Sequence, residues 1–141
     1  MRGAMKYLMN DELRERQYLD PDTAATMKRE FTEALETAEK IFSTNAFKKY
    51  DPGKASYDTR FSEPLWDAVL VGLSNLVHHT RTGSAMRKRI DLLGKAVDIE
   101  AAFQGLFERP EWLTALRQSK RVNVEARISL FEEAVKACTV G

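Results

Sequence analysis

The chain has one cysteine, Cys138, and two histidines, which stand side by side at His78 and His79. A single thiol excludes an internal disulfide framework and fits a reducing, cytoplasmic setting. Neighbouring positions on a helix point about 100° apart, so the histidine pair is not set to share a metal. No CxxC or HExxH motif accompanies it, and no metal or other cofactor is implied. The two histidines read instead as solvated groups near a helix C-terminus, where the dipole favours positive charge. Cys138 reads as a spectator on the last helix, with nothing close in sequence to lower its pKa.

Other absences narrow the field further. No Gly-rich phosphate loop occurs, and Gly83-Ser84 at a helix start signals at most a single anion. No nucleophile elbow is present, and Ser62 reads as a helix cap. The formal net charge is only +1, so any attraction to nucleic acid or lipid must come from local clusters. The most apolar run, Leu65 to Val77, is interrupted by Asp67 and Asn75. It is also shorter than the roughly 20 residues that cross a bilayer. The N-terminus has no apolar stretch of signal-peptide length before Asn10 and Asp11.

What is present is an ordinary globular composition, 43% apolar and 30% charged, which is too apolar for a disordered chain. The length of 141 residues suits one helical domain over 1–141 with its own core. A first helix is predicted from about Gly3 to Arg16, with Met5, Leu8, Met9 and Leu13 on one face. Asp20-Pro21-Asp22 then starts a second helix: Asp20 caps, Pro21 suits the first position, and Asp22 favours the positive end of the dipole. Ala24, Met27, Phe31, Ala34, Leu35, Ala38, Ile41 and Phe42 form its apolar stripe, ending near Ser43 to Asn45.

Residues 48–60 read as the longest irregular stretch, turning at Pro52-Gly53. Ser62-Glu63-Pro64 opens a helix whose apolar residues cover most of its circumference, the mark of a helix buried among others. Further helices are predicted from Ser84 to Leu93, from Asp98 to Phe107, and from Pro110 over Trp112, Leu113 and Leu116. A terminal helix capped by Asn123 lines up Val124, Ile128, Phe131 and Val135. No sustained two-residue alternation or hairpin signal appears, so the fold class is all-α, a compact bundle of about five to seven helices.

Two features carry possible chemistry. Asp67 sits inside the apolar helix and needs a cationic partner, Arg60 or a basic residue of another helix. Two basic clusters, Arg81, Arg87, Lys88 and Arg89, and Arg117, Lys120 and Arg121, are candidate contacts for nucleic acid or a partner if the fold brings them together.

The order of four phrases resembles the C-terminal helical portion of GmrSD-type, ParB/sulfiredoxin-related anti-phage restriction proteins. These are GAMKYLMN at Gly3–Asn10, IFSTNAFKK at Ile41–Lys49, RFSEPLWDAVLVGLS at Arg60–Ser74 and NVEARISLFEEAV at Asn123–Val135. The resemblance implies a helical fold and a defence context. It places the family's nucleotide-hydrolysing motif and nuclease segment outside this chain, so no catalytic residue carries over. The implied role is a non-catalytic domain for packing, subunit assembly or non-specific DNA contact. Its partner would be the catalytic N-terminal half or another subunit. A self-standing protein-binding regulatory module is the alternative.

Overall fold

The computed structural model describes residues 20–78 and 84–139. The helix expected over Gly3 to Arg16, the phrase Gly3–Asn10, His79, Arg81 and Gly83 lie outside the described residues. The chain divides into two compact units, Met1–Thr32 and Glu33–Gly141. The described elements are α1 (Pro21–Phe42), β1 (Lys48–Asp51), β2 (Ser56–Phe61), α2 (residues 63–78), α3 (Ala85–Gly94), α4 (Ala96–Leu106), α5 (Pro110–Arg117) and α6 (Arg121–Thr139). This is the all-α bundle expected from the sequence, with a two-stranded hairpin added. No helix among the described residues is long and apolar enough to cross a membrane.

In the first unit the described residues open α1. Asp20 caps as predicted, its Oδ1 accepting from the Thr23 N–H at 2.7 Å. That hydrogen bond holds the Asp20 carboxyl below its ordinary range. Met27 and Phe31, expected on the buried stripe, are exposed.

In the second unit the rest of α1 buries Ala34, Thr37, Ala38, Ile41 and Phe42. Ser43 adopts a left-handed φ of 58° just past Phe42 and stops the helix, and one 3-10 turn, Ser43–Asn45, follows.

The stretch read as irregular is an antiparallel hairpin. Its turn lies at Pro52-Gly53 as predicted, and Asp51 Oδ1 accepts from the N–H groups of Gly53 at 2.9 Å and Lys54 at 3.3 Å. Lys48 faces Phe61 and Tyr50 faces Tyr57, so Lys49 alone spans Asp58, Thr59 and Arg60 on the other strand. That bulge breaks the alternation that would have betrayed the strands. The Tyr50 and Tyr57 rings meet edge-on at 5.0 Å. The Tyr57 hydroxyl then donates to Glu100 Oε2 at 2.8 Å and accepts from Gln104 Nε2 at 3.1 Å, docking the hairpin on α4.

Helix α2 is the central element, as its all-round apolarity predicts. It comprises α-helical Glu63–Trp66, a π-helical segment Asp67–Val71 and α-helical Gly72–His78. Leu65, Ala68, Val69, Leu70, Leu73, Leu76 and Val77 are buried along it. Each of these Leu and Val side chains contributes about 1.5–3 kcal/mol when removed from water. Helix α6 packs against α2, α4 and α5. Phe42, Phe103, Phe107, Trp112 and Phe131 form the aromatic heart, with Phe42 and Phe103 centroids 4.9 Å apart. The last helix begins at Arg121, not at an Asn123 cap: the Asn123 N–H is already bonded to the Lys120 carbonyl at 2.9 Å.

Gly72 sets the approach of α2 to α6, because a Cβ there would lie 2.5 Å from Phe131 Cδ2. Gly72→Ala is expected to cost about 2 kcal/mol, read as a lowered urea midpoint with an unchanged far-ultraviolet helix signal. Burial, the largest cause, raises the Tyr57 pKa above the tyrosine reference value of 10.0. Stability from this group is fully present below the unfolded pKa and is lost as pH rises through the folded one. Absorbance titration should show one tyrosine ionising after the others, and Tyr57→Phe should abolish that late phase.

Candidate functional site

Asp67 finds its partner on α6 rather than in Arg60. Arg127 Nη2 donates to Asp67 Oδ2 at 2.7 Å, while Arg127 Nη1 donates to the Ala115 carbonyl at 3.0 Å and the Gln118 carbonyl at 2.8 Å. Arg60 lies 3.9 Å from Asp58 instead. The Arg127 side chain is only 3% exposed, whereas that of Asp67 is 41% exposed. One guanidinium therefore closes the C-terminal end of α5 and ties it to the π-helical segment of α2. The sequence reading offers Arg60 or a basic residue of another helix as the partner of Asp67, without naming Arg127. Its signal was placement: it is one residue before Ile128 and four before Phe131 on a buried face.

A second polar group joins α1, α2 and α3. His78 Nε2 lies 3.0 Å from Glu33 Oε1, and its side chain is 14% exposed, so this histidine is not the solvated group expected. Thr37 donates to the Glu33 carbonyl at 2.8 Å and accepts from Arg89 Nε at 3.0 Å. Ser74 borders the same place, giving serine, histidine and glutamate side by side. The side chains pack closely there and join α1, α2 and α3.

The structure sorts the basic residues predicted as contacts. Arg87, Lys88 and Arg89 lie in the opening turns of α3, Arg117 ends α5, and Lys120 and Arg121 stand at the start of α6. Helix α3 packs on the Gly72–His78 part of α2, whereas α5 packs on its Glu63–Trp66 turn. The described residues of the two clusters thus sit on helices that pack against different ends of α2, whose Asp67-to-His78 rise is about 16 Å. Arg87 pairs with Asp91, Arg89 with Glu36, and Arg121 with Glu125. Arg117 and Lys120 have no ion pair among the described residues.

Cys138 lies on α6 as expected, its thiol donating to the Asp98 carbonyl at 3.4 Å. Burial first, and then the charge of Asp98, push the thiol above its ordinary range. Among the described residues, no three His, Cys, Asp or Glu side chains are grouped to hold a metal ion.

An open cleft of about 270 Å³ lies at the base of the hairpin, lined by Lys49, Asp58, Arg60, Phe61, Ser62, Glu63 and Pro64. Sequence reasoning passed over it, because the cleft exists only once the strands pair. Ser62 occupies the cap position of α2 as expected, yet its hydroxyl makes no capping bond and has no partner. Comparison with protein-family models, curated proteins and solved structures returns no match.

Arg127→Leu is expected to cost about 3–5 kcal/mol, since it strands two carbonyls and a carboxylate together. Asp67→Asn, at a part-exposed position, should cost only about 1 kcal/mol. Urea unfolding of the two variants checks the ratio, and equal losses would remove Arg127 from its central place.

Proposed function

We propose that this chain is a non-catalytic helical domain of a GmrSD-type restriction protein in the cytoplasm, working in assembly with the catalytic N-terminal half or another subunit. The observation that carries this reading is the division of labour among its side chains. The polar pairs Arg127 with Asp67, His78 with Glu33, and Arg89 with Thr37 join one helix to another. Outward, α3 shows Met86 and Ile90 one turn apart, both exposed, with Met86 74% exposed. Apolar side chains of this size on one exposed face suit contact with another protein.

The order of the family-like phrases supplies the defence context. The phrases within the described residues hold Asp67, Gly72, Arg127 and Phe131, the positions on which the helix packing turns. Non-specific DNA contact is a second reading, favoured by Arg117 and Lys120 at the exposed α5–α6 junction. A self-standing regulatory module would use the same α3 face with an unrelated partner.

Copurification with the N-terminal half of such a system is expected, and Met86→Glu with Ile90→Glu should weaken it at least about tenfold without lowering the thermal midpoint. The chain alone should neither hydrolyse nucleotide nor cut DNA. Turnover above a buffer blank, removed by substitutions within this chain, would overturn the reading.

A further inference from the structure

Helix α3 shows solvent a face that no packing among the described residues explains. Ser84 caps the helix, its Oγ accepting from the Arg87 N–H at 3.1 Å, so the first turn is fixed. Arg89 and Leu92 turn toward the body of the protein, Arg89 to Thr37 and Leu92 into the core. That leaves Met86, Ile90 and Gly94 following one another at four-residue spacing on the outer side. Met86 is 74% and Ile90 57% exposed, large apolar side chains one turn apart. Val97, at the start of α4, is exposed as well.

Gly94 is an independent observation. Glycine is less favourable than alanine in a helix, so its place calls for a reason. At Gly72 the reason is internal, because a Cβ would meet Phe131. At Gly94 a Cβ would meet no described atom within 4 Å, and the residue does not take the left-handed φ of a capping glycine. The notch it leaves opens outward, one turn beyond Ile90. Along the flank of the same stripe Arg87 and Asp91 pair at 3.5 Å, both exposed.

This face is complementary to itself. When two copies of α3 run antiparallel about a two-fold axis at Ile90, Met86 of each copy faces Gly94 of the other, bulk against notch. The two Ile90 side chains then meet on the axis. By the rise of a helix, each Arg87 comes within about 3 Å, measured along the axis, of the other copy's Asp91. Two arginines and two aspartates share that flank, so its charge is balanced across the contact.

We propose that the outer face of α3 binds a second copy of this chain as an antiparallel two-fold pair, with Met86 seated over Gly94 and the Arg87 and Asp91 charges shared between copies. This rests on the reading of the α3 face as an assembly surface and names its occupant. One ten-residue helix offers less than the roughly 800 Å² per partner of a standard interface, so the pair is weak and concentration-dependent.

Sedimentation velocity of the full chain from about 10 µM to about 1 mM is the test. The mass should rise from the 16.1 kDa of one chain toward twice that value. Gly94→Leu fills the notch and should weaken association at least about tenfold. Its thermal midpoint at low concentration should hold or rise, since the new side chain enters open space. Arg87→Asp alone and Asp91→Arg alone should each stay monomeric, and an equimolar mixture of the two should associate again, an effect that high salt removes. A single monomeric species throughout, association unchanged by Gly94→Leu, or a mixture that fails to associate would overturn the proposal. A monomer whose copurification with the N-terminal half still depends on Met86 and Ile90 would strike out the second copy and leave the assembly reading standing. A dimer without copurification would do the reverse.

Discussion

The bundle hangs on one guanidinium. Arg127 projects from α6 into a place where α5 ends and α2 widens into a π-helical turn, and it bonds to both. The carbonyls at a helix C-terminus need donors, and here a single side chain supplies two of them from a neighbouring helix. Its third contact, Asp67, gives the buried charge a counter-ion with access to water. That arrangement lowers the penalty that a fully enclosed ion pair would carry. Around this point, where α2, α5 and α6 meet, both terminal nitrogens of one buried cation find partners, while its Nε has none among the described residues.

Close packing completes what the ion pair begins. Gly72 stands at the end of the π-helical segment, where α2 and α6 come too near for any Cβ. Phe131, which faces Gly72, joins the aromatic group around Phe103, and Val77 further along α2 is buried as well. The π-helical turn shifts the phase of α2, so one helix presents Leu65 before it and Leu73 after it to the same core. Periodic patterns assume 3.6 residues per turn throughout, which is why this helix looks apolar nearly all round.

The helices were legible because their starts and stops are local. Asp20 before Pro21, Glu63-Pro64 and Pro110 each mark a helix opening from neighbours in sequence, and all three helices stand where those signals put them. The hairpin was illegible for the same reason: its bulge at Lys49 destroys alternation, and its stability comes from Tyr57 reaching Glu100 and Gln104. Those partners lie 43 and 47 residues away, beyond any local pattern. Likewise His78 near a helix end reads as solvated until Glu33, on another helix, covers it.

From the sequence by itself came the helical class, the central place of residues 63–78, the need of Asp67 for a partner, and the unremarkable place of Cys138. All of these follow from propensity, capping and the cost of burying charge, which act over a few residues. Only the tertiary structure decided which cation meets Asp67, where the helices carrying the basic clusters pack on α2, and that a cleft opens beside Ser62. Such outcomes depend on distances between segments remote in sequence, and those distances are set by the packing of the whole core rather than by any local rule.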